Sequence, residues 1–339
     1  MQRWPATRRS HETTCASDSS RCRLRYSSRN TSCAISSAAG LLRNWTGDFE
    51  EAARLQDEGR ALAEERGLLL PLLFSCFLQG LTLTGKGDYD EAFAAFTRGL
   101  TLAERVGDEA IHHRLLNCLG WLYADLGDLD YAETLNTESA QVGRRRRDPG
   151  TQPNAELNLA EIFFARGEFE RAQDQYDAVY RYWKNPPSQW MRFRYSIRMF
   201  AGMGALALTR GDVATARSHS AECLAMATRT GSRKNVVKAL RLAGEIARSE
   251  RRLDAAEGHF RQSRDVAAAL GNPVQRWKSE LALGTFLQET GRDAEAQLAF
   301  GAAAAVMQRV RLALREERLR QVFERHPDVL ALQRLLVVT

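Results

Sequence analysis

The sequence lacks several features that would place it in common functional classes. Its longest apolar run covers residues 68–78 and contains Pro71 and Ser75, which is well short of the roughly 18 residues needed to span a bilayer. The charged start is not followed by an apolar segment, so neither a transmembrane helix nor a secretory signal peptide is expected. We therefore expect a cytoplasmic protein without a membrane partner.

The six cysteines include no C-x-x-C pair. Cys76, Cys118 and Cys223 fall inside helical patterns, where a thiol usually serves as a small buried apolar group. The sequence Gly80-Leu-Thr-Leu-Thr-Gly-Lys-Gly87 resembles a P-loop, but its last position is glycine where a phosphate loop needs Ser or Thr. No metal, cofactor or catalytic residue is predicted, and we do not expect an enzyme.

Lysine is also scarce, with 5 residues against 43 arginines. The formal net charge is +6, yet residues 1–38 alone contain seven arginines and two acidic residues, which leaves +1 for the other 301 residues. Most of the positive net charge therefore lies in one short segment, and nucleic acid is not expected as a partner.

Residues 1–34 are predicted to be a disordered Arg/Ser-rich tail or the product of a mis-set start. The four arginines of residues 144–147 are predicted to form a solvated loop.

A repeat of about forty residues organises the rest of the chain. Turn-like segments such as GDFEEA, GDYDEA and GDLDYA begin at seven positions that lie 40 or 44 residues apart. These seven starts are Gly47, Gly87, Gly127, Gly167, Gly211, Arg251 and Gly291. An alanine follows every start by five residues, and a glycine or alanine precedes every start by seven. The unit is regular enough to predict seven copies of one structural element.

Each unit has the pattern of a helical hairpin. An apolar stretch of helical period precedes the glycine, which can adopt the left-handed conformation that ends a helix, and Asp can cap the helix that follows. Nine residues after several starts a large side chain appears, as at Phe96, Tyr176, Phe260 and Phe300, which we expect to pack in the core. One hairpin cannot bury its apolar face alone, so the hairpins are predicted to stack.

This series of a small residue, a Gly-Asp-aromatic turn, an alanine and an aromatic resembles the tetratricopeptide repeat (TPR). The resemblance implies an all-α, right-handed α-α superhelical solenoid of about seven hairpins over residues 35–305, with capping helices at residues 306–339. The units exceed the usual 34 residues by six, and in this they are similar to the sensor regions of LuxR-like ATP-binding regulators and of cyclase-fused AAA-type ATPases. After residue 305 the pattern predicts one helix to about His326, followed by a short helix from Pro327.

The geometry of the family also implies which residues face the concave groove. Residues thirteen, ten and six positions before each turn are predicted to lie there, and cations outnumber acids among them. The predicted groove residues are Arg114, Asn117, Trp121, Asn154, Arg198, Lys238, Arg241 and Lys278. Such side chains could hold an acidic peptide or an anionic ligand by charge-assisted hydrogen bonds.

The predicted function is a non-enzymatic scaffold that binds a protein or peptide partner in this groove. The alternative is the C-terminal sensor segment of a larger signalling ATPase, transcription activator or nucleotide cyclase. An incomplete first repeat would expose its apolar face, which predicts a tendency to self-associate.

Overall fold

The computed structural model describes residues 35–185 and 189–337, so the predicted tail at residues 1–34 lies outside the described residues. Within the described part the chain forms sixteen helices and their connecting turns. The helices are α1 (residues 35–46), α2 (Phe49–Glu65), α3 (Leu69–Lys86), α4 (Tyr89–Val106), α5 (Glu109–Leu126), α6 (Leu129–Arg146), α7 (Gln152–Ala165), α8 (Phe169–Lys184), α9 (Gln189–Thr209), α10 (Val213–Arg229), α11 (Arg233–Ser249), α12 (Leu253–Leu270), α13 (Pro273–Glu289), α14 (Asp293–Ala313), α15 (Glu317–Glu324) and α16 (Pro327–Val337).

Helices α1 to α14 pair as seven successive hairpins, which confirms the predicted all-α solenoid. The alanine five residues after each turn is fully buried in all seven repeats. In the second, sixth and seventh repeats the small residue of the first helix faces the large residue of the second. A Cβ atom built on Gly80 would lie 2.2 Å from Cε1 of Phe96, and Gly244 and Gly284 face Phe260 and Phe300 in the same way. This pairing lets the two helix backbones approach closely around a filled core.

The turns between paired helices require a left-handed residue. The six turn glycines have φ values between 76° and 100°. In the sixth repeat Arg251 occupies the same position with φ of 59°, a conformation that crowds the Cβ atom of any residue other than glycine. The predicted Asp caps form at Asp128 and Asp212, which accept backbone N–H groups at 3.0 Å. At Asp48 and Asp88 the prediction was wrong, because these side chains accept no capping hydrogen bond.

We expect Arg251→Gly to stabilise the protein by about 0.5–1 kcal/mol. The left-handed conformation costs a non-glycine residue roughly 1–2 kcal/mol, and the larger freedom of glycine in the unfolded chain offsets part of the gain. The Arg251 side chain is exposed, so few contacts are lost. Urea denaturation measures the change. Arg251→Ala is the control because it keeps the Cβ atom, and an equal gain in that variant would contradict the explanation.

Helix α3 is the most apolar helix of the repeat stack. Its 18 residues have a mean hydropathy of 1.3, so by length and composition alone it could cross a membrane. In the structure 56% of these residues are buried, because α3 packs against α2, α4 and α5. The high hydropathy of α3 is therefore explained by its position in the core of the repeat stack.

Two predicted boundaries were wrong. The four arginines were predicted to form a loop, but residues 144–146 continue helix α6 and only Arg147 lies beyond its end. Three cations in the last turn stabilise the helix through its dipole.

The helix expected to continue to His326 ends at Ala313. There Asp90 accepts the backbone N–H of Arg315 at 2.6 Å, and Leu314 is extended and buried. The last helix begins at Pro327, as predicted.

The two ends of the solenoid meet through a set of contacts that we call the closing contacts. Trp45 Nε1–H donates to the carbonyl oxygen of Thr230 at 3.0 Å, and Asn272 Nδ2–H donates to that of Gly85 at 2.6 Å. Phe49 of α2 shares a buried cluster with Val237 and Leu270. Further along the chain, Arg315 pairs with Glu91, and His326 packs on the turn at Gly127. These contacts join partners far apart in the chain and curl the repeats around a central space.

Candidate functional site

The central space is a cavity of about 800 Å³, which we call the chamber. The first helices of the third to seventh repeats line it, namely α5, α7, α9, α11 and α13. The N-terminal repeat adds Trp45 and Phe49, and the C-terminal cap adds His326 and Asp328. The closing contacts therefore narrow a concave groove into a half-open cavity whose volume lies in the range of small-ligand pockets.

Six of the eight predicted groove residues line the chamber. They are Trp121, Asn154, Arg198, Lys238, Arg241 and Lys278. The structure places the other two elsewhere. The Arg114 guanidinium lies over the Phe77 ring at 5.3 Å and close to Gly150. Asn117 is buried beneath helix α7, because neighbouring first helices pack side by side and cover this position.

Asn117 belongs to a ladder of four amides that runs from the core to the chamber. Its Nδ2–H donates to Asn136 Oδ1 at 2.7 Å, and its own Oδ1 accepts from Asn154. Asn158 Nδ2–H also donates to Asn136 Oδ1, at 3.0 Å. The ladder ends at Arg198, which donates to Asn158 Oδ1 at 2.8 Å and to Asn154 Oδ1 at 3.2 Å. These amides hold Arg198 in place.

Arg198 is also ion-paired. Its Nη2 lies 3.0 Å from Glu161 Oε2, and Lys238 Nζ lies 3.3 Å from Glu161 Oε1. Burial alone would raise the pKa of Glu161, but the charges and hydrogen bonds of Arg198 and Lys238 outweigh it and hold the pKa far below its usual value. Glu161 is therefore ionised and is shared by both cations, so this group of three side chains keeps one net positive charge.

Three other cations on the chamber wall have no carboxylate within ion-pair distance among the described residues. They are Lys234, Arg241 and Lys278. Lys234 Nζ lies over the Trp121 ring at 4.4 Å, and burial lowers its pKa to about 8. Within residues 35–185 and 189–337 Arg241 donates only to neutral groups, including Gln275 Oε1 at 2.9 Å and Ser279 Oγ at 3.1 Å. These three residues can offer charge-assisted hydrogen bonds to an anionic ligand.

Asp125 and Lys234 are chamber residues that the sequence pattern did not identify. Asp125 is near the end of α5, and its Oδ2 atom is buried without a hydrogen-bond partner among the described residues. Burial raises the Asp125 pKa, and Lys234, Lys278 and Lys238 oppose this rise, in that order of strength. Asp125 is not at one of the three positions that were used to predict groove residues. It becomes a chamber residue because the curl of the whole solenoid brings α11 and α13 opposite it.

The remaining sequence candidates have structural roles. Cys76, Cys118 and Cys223 are buried, and burial raises the pKa of the Cys76 and Cys223 thiols. Gly87 is the left-handed end of α3, and Lys86 pairs with Glu50 and Asp88 at 3.1 Å. The segment that resembles a P-loop is therefore a helix and its turn.

The fold is shared with solved structures, whereas no protein-family model and no curated protein matches the sequence. The Rap conjugation gene regulator of the plasmid pLS20, in complex with the Phr* peptide, is 12% identical with a TM-score of 0.68, over 83% of this chain and 76% of that one. A Rap protein complexed with competence and sporulation factor is 11% identical with a TM-score of 0.57, over 91% and 97%. NprR in complex with its cognate peptide NprX is 14% identical with a TM-score of 0.56, over 86% and 83%. At these identities the similarity shows the fold alone, a TPR-like helical solenoid.

Proposed function

We propose that the chain is a non-enzymatic receptor that binds a short acidic peptide, or a similar anionic ligand, in the chamber. The observation that carries the proposal is the position of Lys234, Arg241 and Lys278 on the wall of the chamber, where no carboxylate of the described residues lies within ion-pair distance of them. Complexes of similar solenoids with peptides support a peptide as the ligand. The chamber volume favours a short segment over a folded partner.

The lysines of the chain support the same conclusion. Only five lysines occur among 48 basic residues, and three of them, Lys234, Lys238 and Lys278, line the chamber. Lysine presents a compact charge with three rotatable donors, which suits carboxylates that approach from different directions. A chamber with these groups is suited to an extended ligand with acidic side chains.

We expect Lys234→Met, Arg241→Met and Lys278→Met each to weaken binding of acidic peptides about tenfold. A hydrogen bond to a charged group contributes roughly 1.5–3 kcal/mol, and 1.4 kcal/mol is a tenfold change in affinity. Affinity selection from a hexapeptide library with two fixed glutamates, read by mass spectrometry, identifies ligands, and calorimetry then measures Kd. Lys184→Met is the control, since Lys184 is exposed at the end of α8 outside the chamber. Equal affinities in all four variants would show that the chamber cations do not bind the ligand.

The alternative, a sensor segment of a larger signalling ATPase, transcription activator or cyclase, stays a prediction. It is compatible with the same chamber, because a sensor and a free receptor would bind their ligands in the same way. Cytoplasmic localisation and self-association through the first repeat also stay predictions. In that repeat Trp45 and Phe49 take part in the closing contacts. The apolar side chains of Ile35 and Leu42 are exposed.

A further inference from the structure

Asp125 has a place in the chamber that binding of an anion does not explain. Its carboxylate lines the cavity, and the buried Oδ2 atom has no hydrogen-bond partner in the part of the chain that the structure describes. A second anion brought next to it would be repelled, and a buried carboxylate without a partner is costly. In contrast, the other chamber carboxylates have partners. Glu161 pairs with Arg198, Glu245 Oε2 lies 2.6 Å from Arg248 Nη2, and Asp328 accepts from Trp277 Nε1 at 3.0 Å.

The nearest cations are held away from Asp125. Lys234 lies on the Trp121 ring one turn before Asp125 in α5, and Lys238 is paired with Glu161. Lys234, Lys238 and Lys278 all attract the Asp125 carboxylate electrostatically, yet none lies within 4 Å of it in the described structure. The chamber therefore contains the Asp125 carboxylate and two ammonium groups, Lys234 and Lys278, that attract it without forming an ion pair in the described structure.

We propose that Asp125 binds a primary ammonium group of the ligand, while Lys234 and Lys278 bind an anionic group next to it. The inference rests on the proposed function and specifies its ligand. A group with both charges pairs all three side chains at once, which a purely acidic ligand cannot do. Two sources have this chemistry: the free amino terminus of a peptide with an acidic residue near it, and a free acidic amino acid.

The test uses two hexapeptide libraries that are identical except at the amino terminus. Both have aspartate or glutamate at the second position and random residues elsewhere, and one library is acetylated. The full-length protein, Asp125→Asn and Glu245→Gln are incubated with each library, and retained peptides are measured by mass spectrometry. Glu245→Gln is the matched control, because it removes a chamber carboxylate that already has a partner. Calorimetry with L-aspartate and N-acetyl-L-aspartate distinguishes the two sources.

The unaltered protein and Glu245→Gln are expected to retain free-amine peptides at least tenfold better than acetylated ones. Asp125→Asn is expected to lose this preference while it unfolds at the same or a higher urea concentration. Binding of L-aspartate as tight as that of the peptides would support the inference with an amino acid as the source. Equal retention of both libraries by the unaltered protein, or a preserved preference in Asp125→Asn, would overturn the inference alone. No retention of either library would refute the proposed function and this inference with it.

Discussion

Replacing Gly80 with alanine is expected to destabilise the protein by about 2–3 kcal/mol. The new methyl group would lie 2.2, 2.4 and 2.6 Å from three atoms of the Phe96 ring. Phe96 is fully buried, so the ring cannot move away without displacing its neighbours, and overpacking of this kind typically costs 1–3 kcal/mol. Chemical denaturation monitored by circular dichroism measures the loss.

The control for this variant is Gly258→Ala in the interior of α12. A Cβ atom there would meet nothing within 4 Å, so the change should stabilise the protein by about 0.5–1 kcal/mol, the usual advantage of alanine within a helix. Adding Phe96→Leu to Gly80→Ala should recover part of the loss, since it removes the atoms that clash. If Gly258→Ala lost as much stability, glycines within the helices would affect stability for reasons other than the close approach of two helix backbones.

The repeat fold could be predicted because each hairpin is specified locally. The small residue at Gly80, the turn at Gly87, the buried Ala92 and the large Phe96 together form one complete unit. The unit recurs at intervals of 40 or 44 residues, so one interpretation applies to seven hairpins. Prediction was poorer at Leu314, where the helix ends because a distant residue, Asp90, accepts the backbone N–H groups that follow.

The chamber could be predicted only in part, because it depends on the curl of the whole stack. Helical spacing identified Lys238 and Arg241 on one face of α11, and both line the cavity. It could not indicate that Trp45 would reach Thr230 or that His326 would pack on Gly127. These contacts depend on small rotations that accumulate over several repeats.

The partners of each groove cation also depend on this tertiary arrangement. From the sequence, Arg198 and Arg241 are equivalent cations on concave faces. In the structure Arg198 is matched by Glu161 and two asparagine oxygens, whereas Arg241 bonds only to neutral oxygens. Charge and helical phase therefore select candidates, and the surrounding hydrogen bonds separate the structural cation from the one available to a ligand.

This difference predicts that Arg198→Met will destabilise the protein by about 2–3 kcal/mol. Removing one member of a buried ion pair costs about 3–5 kcal/mol. We expect less here, because the Arg198 and Glu161 side chains are 21% and 35% exposed and solvent screens the pair. The oxygens of Asn154 and Asn158 also lose a donor. The free energy of unfolding from guanidinium titration measures the effect.

The double variant Arg198→Met/Glu161→Gln provides the decisive comparison. Once Glu161 is neutral, the absence of Arg198 no longer leaves an under-compensated carboxylate, so the double variant should cost less than the two single changes added together. Additive losses would show that the two side chains act independently and would contradict the structural role of the pair.

The role of Arg198 in stability also matters for ligand-binding experiments, because an Arg198 variant that binds poorly could do so by loosening the amide ladder. Arg241→Met, which removes bonds to neutral groups only, should leave the fold intact and so tests the binding role of the chamber directly.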